Sequence, residues 1–346
     1  MRAVVYHGRG EKALEEVPEP TIRDSTDAIV KVDTATICGT DLHILRGDVP
    51  AVTRGRILGH EAVGTVTETG PGVRGLAPGD RVLISCISAC GRCSFCRTSE
   101  YSQCLGGGGW LLGHRIDGVQ AEYVRVPFAD TSTHKVPEGW SDEQVVYLAD
   151  ILPTGYEVGV LKGQVRPGDV VVVIGAGPIG LSVILGARLY SPRTVIAVDP
   201  VPSRREFASR FGADRAVAPE DAQAAVDEAT AGLGADVCVE AVGIPATFEQ
   251  ATALVRPGGH VANVGVHGEP STLHLETLWS KNVTITTGLV DTNTIPTLMK
   301  AIEGGQLDPT RFTTHRFGFD EAMQAYDTFA RAGETNALKV LLTTDA

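Results

Sequence analysis

Val170-Val-Val-Val-Ile174 runs directly into Gly175-Ala-Gly177-Pro178-Ile179-Gly180, and this junction decides the fold. Five apolar β-branched residues in a row predict a strand buried on both faces. Ile179, Val183, Ile184 and Ala187 then recur at helical spacing. Pro178 falls in the first helical turn, where its missing N–H costs little. A bare G-x-G-x-x-G pattern is weak evidence, and a tight turn with no ligand would also produce it. Between a strand and a helix it reads as a phosphate cradle. Small residues admit a pyrophosphate, and the helix N-terminus attracts its charge. Asp199 closes the next strand candidate, Thr194–Asp199, where an acid bonds adenosine ribose hydroxyls.

Asp199 also bears on cofactor choice. A carboxylate there repels a 2′-phosphate, which favours NAD over NADP. Arg204 and Arg205 follow closely and offer the opposite possibility, a phosphate contact; their alternative is a solvated helix face or packing over adenine.

Outward from this point, strands and helices alternate. Further strand candidates are Asp236–Ala241, His260–Val264 and Thr284–Gly288. Helix candidates are Pro178–Tyr190, Ser203–Phe211 and Pro245–Val255. The alternation predicts a parallel sheet covered by helices, an α/β doubly wound unit. The last stretch, 295–346, has helical segments and a final apolar run, Leu338-Lys-Val-Leu-Leu-Thr, suited to returning to the first domain.

Residues 1 to about 150 read differently. Short apolar or alternating runs (Ala28–Val32, Ala62–Glu68, Arg81–Ser85, Ala121–Val126) are separated by turns such as Gly70-Pro-Gly and Pro78-Gly-Asp, predicting a β-rich barrel or sandwich. Within it lies Cys90-Gly-Arg-Cys93-Ser-Phe-Cys96, followed by Cys104. Four thiols at this spacing suit one closed, structural zinc. Gly106–Gly109, a four-glycine run, is expected to be a flexible loop.

A second set of donors lies outside that lobe: Cys38, His60, Glu61 and Asp150. Cys, His and a carboxylate can take three positions on a zinc and leave one open. No local spacing links them. Singly, each has an ordinary reading as a core thiol, a satisfied polar group or a helix cap. Of the remaining thiols, Cys238 sits in an apolar strand candidate and is expected in the core. Cys86 is a candidate for the pocket wall.

The bulk numbers bound the rest. The chain has 346 residues, 43% hydrophobic and 21% charged, with a net charge of −12. This suits a globular protein of roughly two domains and opposes a nucleic-acid or anionic-membrane role. The N-terminal sequence Met-Arg-Ala-Val-Val-Tyr-His-Gly shows no signal-peptide core. The expectation is a cytoplasmic protein, whose clustered cysteines are metal ligands rather than disulfides.

Cys38-Gly-Thr40-Asp41-Leu-His43, Gly59-His60-Glu61, the four-cysteine lobe, Gly175–Gly180 and Asp199 occur in the order found in zinc-dependent medium-chain alcohol dehydrogenases. The chain resembles that family over essentially its whole length. The resemblance implies a GroES-like catalytic domain over 1–153 and 295–346 and a Rossmann domain over 154–294. It implies that Cys38, His60 and Asp150 bind a catalytic zinc, with Glu61 able to approach it. Cys90, Cys93, Cys96 and Cys104 match the structural zinc ligands, giving two zinc ions per subunit. Thr40 and His43 match a proton relay. Thr154, Val264-Gly265-Val266, Leu289 and Val290 match the surroundings of the nicotinamide, while Ile87, Trp110 and Leu289 match the walls of the substrate pocket. Aspartate at 150 is similar to bacterial secondary-alcohol dehydrogenases, many of which lack the cysteine lobe. Thr98-Ser99 stands where a glycine is common. The family implies dimers or tetramers joined through Rossmann sheets, and a homotetramer is expected.

The activity these features imply is reversible, NAD-dependent oxidation of a small or medium alcohol to an aldehyde or ketone. Rival substrates on the same machinery are a polyol, butanediol, threonine or formaldehyde. A catalytically silent NAD sensor is a rival of another class; such relatives usually lack the zinc ligands. A zinc-ribbon nucleic-acid binder conflicts with the charge and the dinucleotide pattern.

Overall fold

A computed structural model describes residues 1–344. The chain forms two compact units: Met1–Asp150 with Asp291–Ala346, and Ile151–Val290.

In the second unit, Val170–Ile174 is fully buried and central. Six parallel strands take the order Arg215–Val217, Thr194–Val198, Val170–Ile174, Ala235–Glu240, Val255–Asn263, Thr284–Thr287. The strand order reverses beside Val170–Ile174, the topological switch where ligands of such sheets bind. Helices Pro178–Arg188, Pro202–Phe211 and Pro245–Leu254 each begin with proline in the first turn, which is preorganised for a helix start. Cys238 is completely buried, in the core as expected.

The first unit is built around the long strand Ala28–Thr36. Its seven-stranded sheet follows the path Thr133–Lys135, Arg81–Ile84, Ala62–Thr69, Ala28–Thr36, Lys339–Thr343, Thr313–Gly318, with Tyr123–Val126 also paired to Ala28–Thr36. The C-terminal apolar run thus inserts beside Ala28–Thr36 and returns to the first unit. This register carries Lys339 into the core beneath residues 36–38.

The four-glycine run expected as a flexible loop is held against the cysteine lobe at three of its positions. Gly109–Trp110 pairs with Ile87–Ser88. A Cβ on Gly106 would lie 2.6 Å from Cys90 Sγ, and one on Gly108 would lie 2.9 Å from Cys104 Sγ. The glycines let the backbone close over the sulfurs. Among the described residues, no helix is long and apolar enough to cross a membrane.

Candidate metal and dinucleotide sites

The four lobe cysteines converge. Their sulfur atoms lie within 4.8 Å of one another, and Cys90 Sγ and Cys96 Sγ are 3.9 Å apart. That is too long for a disulfide. It matches the separation of about 3.8 Å expected for two sulfurs at tetrahedral corners of a zinc with 2.3 Å bonds. Backbone N–H groups aim at the sulfurs: Cys90 to Cys104, Cys96 to Cys93 and Leu105 to Cys93. The N–H of Cys96 is the chief cause that draws the Cys93 thiol down to about 6, while burial pushes Cys96 up to about 12. A divalent cation would let all four ionise together. Ser99 occupies the left-handed region at φ 65°, which explains why glycine suits that position.

Cys38, His60 and Asp150 also come together. Cys38 caps the helix Gly39–Arg46 and donates its own N–H to Asp41 Oδ2 at 2.9 Å. His60 follows Gly59, whose φ is 88°, and precedes the strand Ala62–Thr69. Asp150 stands between the turn Val146–Ala149 and the helix Ile151–Thr154. Asp150 Oδ2 is 3.5 Å from Cys38 Sγ and 3.4 Å from His60 Nε2. Tetrahedral zinc with ordinary bond lengths sets its S···O and N···O ligand pairs about 3.6 Å and about 3.3 Å apart. The donors therefore fit the metal in both chemistry and spacing.

Burial, then the charge of Glu61, raises the Cys38 thiol. Burial opposes a charge on His60, yet Asp150 and Cys38 outweigh it and hold the imidazole well above its ordinary value. Glu61 is not among the three converging donors. Its carboxylate is wholly buried and accepts from Lys339 Nζ and Thr36 Oγ1. Lys339 Nζ also donates to the Ile37 carbonyl at 3.0 Å. Sequence reading missed Lys339; a lone charge inside an apolar strand was its signal.

Around the cluster, Thr40 Oγ1 is 3.7 Å from Cys38 Sγ, and Trp110 meets His60 edge-on with ring centroids 6.3 Å apart. Trp110 stacks on His114, at 4.2 Å. Ile87 is buried and pairs with Trp110. Cys86 Sγ lies 3.7 Å from Asp150 Oδ1, closer to the ligands than its sequence suggested. His43 is at the surface side of its helix, with Nδ1 2.9 Å from Asp48 Oδ2 and 2.9 Å from Arg46 Nη2.

In the second unit the glycines divide their work. Gly175 has φ 96°, and a Cβ there would lie 2.6 Å from Val242. A Cβ on Gly180 would strike the Gly175 carbonyl. A Cβ on Gly177 would meet nothing. No neighbour in the fold demands glycine at 177, whereas an approaching pyrophosphate does. The Ala176 N–H donates to Asp199 Oδ2 at 2.9 Å, and the Val201 N–H donates to Asp199 Oδ1 at 2.8 Å. These bonds hold the carboxylate at the end of Thr194–Val198. Arg205 donates to the carbonyls of Asp199 and Pro200. Arg204 is largely buried beside Asp199, and that burial lowers its pKa. Val264 and Gly265 dock their N–H groups on the Glu240 carbonyl. Val266 and Leu289 are exposed and Val290 is buried; Thr154 is half-buried.

Residues 24–138 match the alcohol dehydrogenase GroES-like domain, and residues 178–304 match the zinc-binding dehydrogenase domain. The zinc-type alcohol dehydrogenase B of Aspergillus flavus is 36% identical over 98% of this chain and 80% of that protein. The chain belongs to the zinc-dependent medium-chain alcohol dehydrogenase family. The apo zinc-dependent alcohol dehydrogenase 2 of Streptococcus pneumonia superposes with a TM-score of 0.96 at 47% identity, covering 100% of this chain and 99% of that one. Relatives in this dehydrogenase family extend to the L-threonine 3-dehydrogenase of Pyrococcus horikoshii, 34% identical over 97% of this chain and 96% of that protein. The fold is accordingly a GroES-like unit and a Rossmann unit, and the chain is an oxidoreductase of the zinc alcohol dehydrogenase family.

Proposed function

We propose that the protein reversibly oxidises a small or medium primary or secondary alcohol with NAD. The observation that carries this reading is the spacing of Cys38, His60 and Asp150, which suits a zinc with one position open to substrate. A zinc ion bound there would act as a Lewis acid on the alcohol oxygen and lower its pKa. The remaining work falls to the chain. In this reading Thr40, beside Cys38, would accept the alcohol proton and His43 would pass it to solvent. Trp110, Ile87 and Cys86 exclude water and favour uncharged substrates. In the Rossmann unit, Gly177 leaves room for the pyrophosphate, and Asp199 bonds the ribose and disfavours a 2′-phosphate. Thr154, Val264–Val266, Leu289 and Val290 would then surround the nicotinamide. Four thiolates of the lobe would hold a second, structural zinc. A cytoplasmic setting fits an enzyme that needs reduced thiols.

Leu273, Leu275 and Trp279 are exposed, in the segment that precedes the edge strand Thr284–Thr287 in sequence. We read this as the face joining two copies, within a homotetramer. Light scattering tests the assembly; a monomer at micromolar concentration would contradict it.

The activity test is NADH formation from 2-butanol, benzyl alcohol, sorbitol and L-threonine, before and after chelation, with NADP in parallel. Chelator-sensitive oxidation of a simple alcohol with NAD is the expected result. Turnover confined to NADP, or indifferent to zinc removal, would overturn the reading.

A further inference from the structure

Behind Cys38 and His60 lies a buried polar chain that the proposed chemistry does not use. Gln120 is wholly buried. Its Nε2 donates to Asp41 Oδ2 at 3.0 Å and to the Thr36 carbonyl at 3.1 Å. Its Oε1 accepts from the Tyr326 hydroxyl at 2.7 Å. Tyr326 belongs to the C-terminal helix Ala322–Ala330 and is also buried. Asp41 in turn accepts the N–H of Cys38 through the same Oδ2. One amide therefore ties the strand end at Thr36 to the carboxylate that fixes the start of the helix at Cys38.

Gln120 also touches the other ligand segment. The Val119 N–H donates to the Gly59 carbonyl and the Gln120 N–H to the Leu58 carbonyl. A Cβ on Gly59 would lie 2.5 Å from Gln120 Cγ, so the glycine preceding His60 makes room for this side chain. Asp41 Oδ1 and His60 Nδ1 are both buried with no hydrogen-bond partner. An imidazole that ligates through Nε2 is ordinarily held by an acceptor at Nδ1.

The direction of the amide is fixed. Turned over, its oxygen would face the Asp41 carboxylate and the Thr36 carbonyl, three acceptors with no proton among them. The Tyr326 hydroxyl, donating to Oε1, enforces the correct orientation. We propose that Gln120, oriented by Tyr326, is a positioning residue that holds Cys38, through Asp41, and the Leu58–Gly59 segment leading into His60 in metal-binding geometry. This rests on reading Cys38, His60 and Asp150 as the catalytic zinc site.

Site-resolved metal release tests it. Zinc-loaded wild type, Gln120→Met and Tyr326→Phe are challenged with a chelator, and Asp150→Asn marks which release phase belongs to the catalytic site. Release from that site should quicken about tenfold in Gln120→Met and about threefold in Tyr326→Phe, in line with other residues that orient metal ligands. Release from the cysteine lobe should stay unchanged, and cobalt substituted at the catalytic site should show altered ligand-field bands in both variants. If Gln120→Met does not fold, Tyr326→Phe decides alone. Release rates and cobalt bands like wild type in the folded variants would overturn the proposal; so would equal acceleration at both sites, which reports general loosening. If Asp150→Asn instead retains both wild-type phases, the reading of the site itself fails, before Gln120 is in question.

Discussion

His60 Nε2 lies 3.4 Å from Asp150 Oδ2, although the two residues belong to distant parts of the chain. A bare ion pair would explain the contact if it stood alone. Cys38 Sγ at 3.5 Å from the same oxygen makes it a three-donor cluster instead. Replacing Asp150 by Asn keeps the shape and removes the anion. The variant should lose one zinc per chain by elemental analysis, keep the lobe zinc, and lose on the order of a hundredfold or more in kcat/KM. Full metal content with normal kinetics would remove Asp150 from the ligand set.

The cysteine lobe should respond separately. Gly108→Ala drives a methyl group to 2.9 Å from Cys104 Sγ and closer still to the Ser88 carbonyl. It should lower Tm by roughly 5–10 °C and release the lobe zinc more readily. Alcohol oxidation measured well below Tm should change little. An unaltered Tm would show that the glycine run is loose after all.

Asp199 sets the cofactor prediction. Asp199→Asn removes the charge that opposes a 2′-phosphate and disturbs the bond from Ala176. The kcat/KM with NAD should fall about tenfold, the scale of one charge-assisted hydrogen bond, and the NAD-to-NADP ratio should fall with it. An unchanged ratio would take Asp199 out of cofactor selection.

His134 gives a pH prediction independent of the metals. Its burial depresses the imidazole to about 4. In the unfolded chain it titrates near 6.5, so the unfolded state takes up the proton first as pH falls. The stability this neutral histidine contributes is complete above about pH 6.5 and is lost as pH drops toward 4. Between pH 7.5 and 5 the loss should be on the order of 1–2 kcal/mol, after allowing for partial exposure. Urea unfolding of wild type and His134→Gln at both pH values measures it. Parallel pH dependence in the two proteins would contradict the assignment.

The features legible in the sequence are those whose physics is local. Val170–Gly180 sets a strand, a turn and a helix within one short stretch, and the structure keeps all three. The four lobe thiols are likewise neighbours in sequence and in space. Helix Ala222–Thr230 passed unremarked because Ala222, Ala225 and Val226 form a thin apolar face among polar residues. Strand Val255–Asn263 begins earlier than its apolar core suggests, since Pro257-Gly258-Gly259 interrupts the pattern. Gly106–Gly109 read as flexible because composition does not reveal a backbone pressed against sulfur. Gln120 carries no local pattern, and the lone charge of Lys339 in an apolar strand does not name its partner; both partners are fixed only when the C-terminal strand and helix pack within the first unit.

The most direct test of the central claim is turnover against zinc content at the Cys38–His60–Asp150 site. The labile zinc is removed with a chelator, the lobe zinc is confirmed by elemental analysis, and NADH formation from the best alcohol substrate is followed as zinc is returned. The account predicts no turnover at one zinc per chain and full recovery on adding one further equivalent. Full activity at one zinc per chain, with the cluster empty, would contradict it.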